Sequence, residues 1–393
     1  DIDDKTIKRA NQEGVDLNVI TERYTHHFMM DLKWLNIIPA NKYPKATQYI
    51  WKIVEIIEVL IDKGFAYKDE DGSVYFNIKS YPDYGLLSKL KINNQKQTYR
   101  IQDDEYNKDN PQDFALWKSW KKEDGAIYWN SPWGKGRPGW HMECSAMSNE
   151  TLGSHFDIHC GGIDNMFPHH ENEIAQSICS TDDSFVNYWL HSEFLLIDGD
   201  KMSKSLDNYY TIKDLQKIGF SAESVRYQLL AAHYRNRISF SESKKNESDK
   251  IVYRIDKFYE LLKENGADIL AGDCLPDEYI DFKIAMNDDL NSPKALAIFF
   301  SWMKNVSKNL EKNSLGKKEL VSAWNFLKLF NNIFSFHNEK SPIYSNEIEK
   351  LLEERRIARK DKNWPLSDLI RKKIENKGWL IEDTKNGQKL KKI

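Results

Sequence analysis

His155-Phe-Asp-Ile-His-Cys-Gly-Gly-Ile-Asp-Asn-Met-Phe-Pro-His-His-Glu-Asn-Glu173 is the most informative stretch of this chain. Residues 155–160 are a short strand candidate, Gly161-Gly162 interrupt it, and residues 169–180 carry a helical pattern. Strand, glycine turn and helix in that order form the βα unit of a parallel sheet, and such sheets bind ligands at the carboxyl ends of their strands. The stretch therefore predicts an α/β fold. On its C-terminal side, residues 188–190 and 194–197 are further strand candidates, followed by a charged loop over 198–208. On its N-terminal side, residues 141–152 can be helical. The run from Trp129 to Trp140 is rich in glycine, proline and tryptophan and predicts a rigid, aromatic-walled loop without regular structure.

Further out, Ile50, Ile53, Val54, Ile57, Leu60 and Ile61 recur at helical spacing, and Gly64 ends the run, so a helix is expected over 45–63. Residues 65–67 and 74–76 flank Asp71-Gly72, the signature of a β-hairpin. The polar stretch 95–125 is expected to be irregular or an insertion. Beyond Ser221 the pattern is helical. Amphipathic segments at 251–262, 292–310 and 320–336 predict a bundle, and loops near 265–277 and 338–345 are natural boundaries.

The chain has 393 residues, 40% of them apolar, with 57 Lys plus Arg against 60 Asp plus Glu. At roughly 100–200 residues per domain this length suggests two to four domains with separate cores, and it excludes a disordered or fibrous chain. No apolar run approaches the roughly 18 residues of a membrane span, and no basic-then-apolar leader is present, so a cytoplasmic location is expected. The four cysteines are too few and too irregularly spaced for a disulfide framework, and read as reduced thiols or metal ligands. Charge is uneven. Residues 351–393 hold 13 Lys plus Arg against 7 Asp plus Glu, a balance of +6 that suggests an anionic partner such as nucleic acid.

Two constellations could carry chemistry. His169 and Glu173 lie four apart on one helical face, with Cys144 25 residues earlier, and thiolate, imidazole and carboxylate are the ligands of tetrahedral Zn²⁺. The alternative is surface decoration. Lys201-Met-Ser-Lys-Ser205 places two ammonium groups on a short loop, where they could follow charge developing on transferring phosphates, although lysine loops are often merely solvated.

Lys201 to Ser205 is identical to the KMSKS signature of class I aminoacyl-tRNA synthetases. Arg137-Pro-Gly-Trp-His-Met-Glu-Cys144, His155-Phe-Asp-Ile-His159, Phe167-Pro-His-His-Glu-Asn-Glu173, His233-Tyr-Arg235 and Asp288-Asp-Leu-Asn-Ser-Pro293 resemble the cysteinyl-tRNA synthetases, as do Asp1 to Lys5 and Asp113 to Lys118. The resemblance runs from the first residue to the last. It implies a Rossmann-like parallel-sheet catalytic domain over 1–220 with a connective insertion at about 26–125. A helical bundle touching the tRNA stem over 221–340 and a small anticodon-binding domain over 345–393 complete the expected organisation. The implied reaction is ATP-dependent ligation of L-cysteine to tRNA(Cys) through cysteinyl-adenylate, with Mg²⁺ accompanying ATP, by a monomer that does not engage a membrane.

The same resemblance assigns residues. Cys144, His169 and Glu173 match three of the family's four zinc ligands, and zinc there binds the substrate thiolate in preference to serine's hydroxyl. Trp140 and His170 are similar to residues lining the amino-acid pocket. Gly161, Gly162 and Asp164 match the turn that holds ATP, and Lys201 and Lys204 the phosphate-binding lysines. Arg359, Trp364, Asp368 and Asp383 fall where the family reads the anticodon, although Trp364 and Trp379 could equally fill the core of a small domain. The family's fourth zinc ligand and its HIGH motif precede the Asp-Ile-Asp-Asp element with which this sequence opens, so the chain as given is expected to lack them and could be inactive. Cys160 and Asp207 stand where the family usually has glycine. A cysteine ligase acting on an amino sugar and a non-catalytic RNA-binding remnant are the alternatives.

Overall fold

The computed structural model describes residues 1–89, 113–202, 209–338, 346–384 and 387–392. They form two compact units, Asp1–Phe336 and His337–Ile393. The first unit opens with α1 (Asp4–Glu13), whose N-terminus is closed by a reciprocal cap: Asp3 accepts from the Lys5 amide, and Thr6 Oγ1 accepts from the Asp3 amide at 3.0 Å. Gly14 ends it in the left-handed conformation. After α2 (Leu17–Trp34), α3 (Ile50–Asp62) buries Ile53, Ile57 and Leu60 on one face, as the spacing predicts.

The hairpin β1 (Ala66–Lys68) and β2 (Val74–Phe76) turns through Gly72 as expected. It belongs to a five-stranded antiparallel sheet with β3 (Phe114–Ser119), β4 (Trp129–Ser131) and β5 (Gly134–Pro138), in the order β1-β2-β3-β5-β4. Two expectations are corrected here. Of the stretch expected to be irregular, residues 114–119 are the central strand. Phe114, Ala115, Leu116 and Trp117 are all buried, so the strand shows no alternation to read. Residues 95–112 lie outside the described residues, and 120–125 are irregular apart from one short turn of helix at Lys122–Asp124. Nor is 129–138 a loop, because its glycines permit close approach instead of breaking the strand. A Cβ on Gly136 would sit 2.3 Å from both the Lys118 carbonyl and Trp117 Nε1, and one on Gly139 2.0 Å from the Ala115 carbonyl.

Next come α4 (Trp140–Leu152), β6 (Phe156–Gly162), α5 (Glu171–Thr181) and β7 (Val186–Ser192), with β6 and β7 paired in parallel. This is the βαβ unit that the sequence predicts. Almost every side of α5 is covered: Glu171 accepts from the amides of Gly85 and Ser88, Asn172 from the Tyr84 hydroxyl, and Gln176 from Ser145 Oγ at 2.6 Å. Strands β8 (Leu195–Ile197), β9 (Asp200–Lys201) and β10 (Ile238–Phe240) form a second small sheet, with β10 parallel to β8, beside α6 (Ile212–Lys217) and α7 (Ala222–Leu230).

The bundle consists of α8 (Lys245–Glu264), α9 (Glu278–Asn287), α10 (Ser292–Glu311) and α11 (Lys317–Phe334). Its core is aromatic, with Phe299 stacked on Phe330 and Trp302 against Phe326. In the second unit α12 (Asn346–Lys360), α13 (Trp364–Glu375) and the hairpin β11 (Trp379–Thr384) and β12 (Gly387–Lys392) enclose Ile348, Ile370, Ile374, Ile381 and Leu390. No described helix is long and apolar enough to cross a membrane.

Candidate functional site

The site is built at the carboxyl ends of β6 and β7. His159 and Gly161 share one face of β6 because strand side chains alternate, and Trp189 and His191 do the same on β7. The parallel register sets His159 beside Trp189 and Gly161 beside His191. His170, in the turn that leads into α5, lies over this floor, its ring 4.8 Å from that of His159 and 4.9 Å from that of Trp189. Only glycine fits beneath it. A Cβ at residue 161 would stand 2.5 Å from His170 Cε1. His170 Nδ1 is 2.8 Å from His191 Nε2, which fixes the ring and leaves Nε2 of His170 facing Glu173.

From the other side α4 supplies Cys144 and His141, three residues apart on one helical face. His141 Nδ1 meets His169 Nδ1 at 2.8 Å, so one ring donates to the other, and Nε2 of His169 is left facing Glu173 at 3.8 Å. Trp140 stacks on His169 with ring centres 4.4 Å apart and keeps 52% of its surface exposed. Ligand atoms of Cys144, His169 and Glu173 lie within 4.8 Å of one another. A second set with the same spread, His159, His170 and Glu173, shares the carboxylate.

Glu173 is the hub, and it is fully buried. Its Oε2 accepts from His159 Nε2 at 3.0 Å, whereas Oε1 is shielded from water and has no partner among the described residues. Burial pushes the Glu173 carboxyl up from the usual range. It also pushes the Cys144 thiol up, with Glu173 adding to the effect, and drives His169 and His170 down to about 3, with neighbouring imidazoles adding to the effect. The largest cause of each shift is the same, desolvation, which disfavours every charged form in the cluster. A divalent cation offsets this penalty. It would satisfy the orphaned oxygen, stabilise thiolate and carboxylate together, and use imidazoles that are already neutral. The residues present fit a zinc ion.

Of the other expected site residues, Asp164 is exposed on the turn after β6, its Oδ1 2.4 Å from where a Cβ on Gly162 would stand. Lys201 closes β9 opposite Leu196, and its side chain, like all of Lys204, lies outside the described residues. Sequence reasoning did not assign His141, His159, Trp189 or His191. The i, i+2 spacing of histidine with glycine on β6 and of tryptophan with histidine on β7 is the signal that could have found the last three.

In the second unit Arg359, Trp364 and Asp383 come together. Arg359 Nη1 is 3.1 Å from Asp383, and its guanidinium lies 5.7 Å from the centre of the Trp364 ring. Trp364 is 53% exposed and therefore not a core residue, whereas Trp379 packs against the core. Asp368 is exposed on α13. Arg355 is completely buried and holds Asp383 with both Nη atoms, at 2.9 and 3.0 Å; this pairing, more than any other, keeps the Asp383 carboxyl below the usual range.

Residues 1–250 match the family of tRNA synthetases class I (C) catalytic domains, and residues 281–338 match the DALR domain. The whole chain aligns with 84% of the length of the cysteine–tRNA ligase of Protochlamydia amoebophila (strain UWE25) at 44% identity. It covers the same share of the Chlamydia abortus enzyme of that name at 42%. Among solved structures, Mycobacterium tuberculosis methionyl-tRNA synthetase bound by methionyl-adenylate superposes with a TM-score of 0.56 at 13% identity, over 84% of this chain and 82% of that one, a likeness of fold. Catalytic-domain match and full-length relatives agree, and the chain belongs to the class I cysteine–tRNA ligase family.

Proposed function

We propose that this chain ligates L-cysteine to tRNA(Cys) at the expense of ATP, and that Cys144, His169 and Glu173 hold a zinc ion that selects the substrate. The observation that carries the proposal is the Cys144–His169–Glu173 cluster, with His169 and Glu173 buried, Cys144 half-buried and one carboxylate oxygen orphaned, at the carboxyl ends of two parallel strands. The cluster containing Cys144 is favoured over His159–His170–Glu173 because it brings a thiol, and because His159 already donates to Glu173. A bound zinc ion supplies a strong site for a thiolate and a poor one for a hydroxyl, a discrimination between cysteine and serine that pocket shape alone does not achieve.

In the first half-reaction the carboxylate of cysteine attacks the α-phosphorus of ATP and pyrophosphate leaves. In the second, the terminal adenosine of the tRNA attacks the adenylate carbonyl and AMP leaves. Positioning and charge stabilisation, without a covalent enzyme intermediate, lower both barriers. His141 holds the His169 ring and His191 holds that of His170, so neutral imidazoles face the cysteine pocket with Trp140 at its mouth. Gly161, Gly162 and Asp164 would receive ATP with its Mg²⁺, and Lys201 and Lys204 the phosphates. We assign 1–220 to catalysis, 221–340 to the tRNA stem, and 345–393, through Arg359, Trp364, Asp368 and Asp383, to the anticodon. A cytoplasmic monomer suits this role, and the DALR match supports a tRNA partner over an amino sugar.

Cysteine-dependent ATP–pyrophosphate exchange with zinc present tests the proposal. Exchange is expected with cysteine and not with serine, and Lys204→Ala should slow it more than it weakens cysteine binding. Equal exchange with serine, or a Lys204→Ala variant in which exchange and cysteine binding fall equally, would contradict it.

A further inference from the structure

We propose that His159, His170 and Glu173 form a second seat for a divalent cation, one that uses no thiol, and that it is filled as an alternative to the Cys144–His169–Glu173 seat and not alongside it. Its occupant is a dication that favours imidazole and carboxylate ligands, and Ni²⁺ is the probe for it. The inference rests on the reading of the thiol-bearing set as the zinc seat only where it concerns exclusion.

The three side chains converge from two elements. His159 comes from β6, His170 from the turn that leads into α5 and Glu173 from the first turn of that helix, and their ligand atoms lie within 4.8 Å of one another. His159 Nε2 stands 3.0 Å from Glu173 Oε2 and His170 Nε2 stands 3.8 Å from it, so both imidazoles turn the same nitrogen toward one oxygen. A cation among them takes the place of the proton on His159 Nε2. The ring keeps one proton, on Nδ1, and stays neutral.

Two features mark the seat as preformed. A metal-bound imidazole needs an outer partner for its other nitrogen, and His170 has one. Its Nδ1 is 2.8 Å from His191 Nε2, and in the tautomer that donates to His191 the Nε2 lone pair faces Glu173. Burial is the second feature. Glu173 and His170 are 0% and 2% exposed, so water competes little for their ligand atoms, whereas the His159 side chain is 20% exposed and marks the open side.

The two seats share one carboxylate, since His169 Nε2 also lies 3.8 Å from Glu173 Oε2. Together they offer one carboxylate and one thiol, too little negative charge to hold two neighbouring dications. Ligand softness then decides which seat fills. Zinc takes the thiol of Cys144, an imidazole-seeking ion takes the two histidines, and an ion in the histidine seat keeps zinc out.

The test uses the full chain, stripped of metal and equilibrated with Ni²⁺ or Zn²⁺. Cys144→Ser should keep one Ni²⁺ per chain, with no thiolate-to-metal charge-transfer absorption. His159→Gln in that background leaves Glu173 a hydrogen-bond donor but removes the metal-binding nitrogen, and should weaken nickel binding at least tenfold. His191→Phe removes the outer partner; it should weaken nickel binding in the same background by about tenfold and leave the zinc content of the otherwise wild-type chain unchanged. In the wild type each Ni²⁺ taken up should release one zinc ion. Three results would overturn the inference: no nickel in Cys144→Ser, undiminished nickel binding when His159→Gln is added, or a wild-type chain that holds zinc and nickel together. Zinc in the wild type with no nickel in Cys144→Ser would remove this inference alone. Nickel in Cys144→Ser with no zinc in the wild type would remove the zinc reading and leave the histidine seat standing.

Discussion

Glu173 and Asp383 each gather three nitrogen-bearing side chains around one carboxylate, yet they do so in opposite electrical regimes. Glu173 is fully buried among imidazoles and a thiol, and desolvation pushes its carboxyl toward the neutral form. Asp383 is 31% exposed among guanidiniums that cannot lose their protons, and it is held ionised. The first arrangement lacks positive charge and the second has a surplus of it. A site short of positive charge is completed by a cation; a site with a surplus is completed by an anion. The contrast suits the chemistry proposed for each unit: a metal and a thiol in the first, a polyanionic RNA in the second.

The comparison is broken most severely if Glu173→Gln retains its metal. Removing the shared charge should weaken zinc binding by ~100-fold or more, read as metal content after purification against a chelator. Asp383→Asn should leave zinc content unchanged.

A smaller effect comes from acid. His169 and His170 are held at about 3, against an ordinary value of 6.5, so below pH 6.5 the unfolded chain takes up protons that the folded core refuses. Between pH 6.5 and 4.5 the resulting loss of stability is offset by the buried Glu173 and Glu143 carboxyls, whose raised values work in the opposite sense; below pH 4.5, where unfolded carboxyls are protonated too, the stability of the first unit should fall by up to about 1.4 kcal/mol per pH unit for each histidine. Asp383 is lowered from 3.8, so its contribution is intact above that pH and is lost only as pH falls through its folded value. Thermal unfolding of the metal-stripped protein at pH 6.5, 4.5 and 4.0 should leave the first transition nearly constant over the first interval, shift it downward over the second, and leave the second transition in place. A shift confined to the second unit would contradict the assignment.

What the sequence disclosed, and what it hid, follows from the same physics. The helix at Ile50–Asp62 and the βαβ unit around Gly161 are legible because each has one buried face or one unambiguous breaker. Strand β3 is hidden because both its faces are covered, and β5 because its glycines serve the packing of Trp117 and Ala115. Cys144, His169 and Glu173 are legible as a ligand set through helical spacing and motif. His159 and His191 are not, since their roles depend on the parallel register that sets β6 beside β7, and a register is a long-range fact. Trp364 was ambiguous for a comparable reason: whether a tryptophan of so small a domain is core or platform depends on how α13 is rotated.

The central claim is that Glu173 and Cys144 hold a metal that takes the substrate thiol. Cobalt(II) in place of zinc makes this visible, because thiolate-to-metal charge transfer absorbs in the near ultraviolet. Cobalt-loaded protein should show that band through Cys144, and cysteine, but not serine, should intensify it. A band that appears without Cys144, or that cysteine leaves unchanged, would contradict the account.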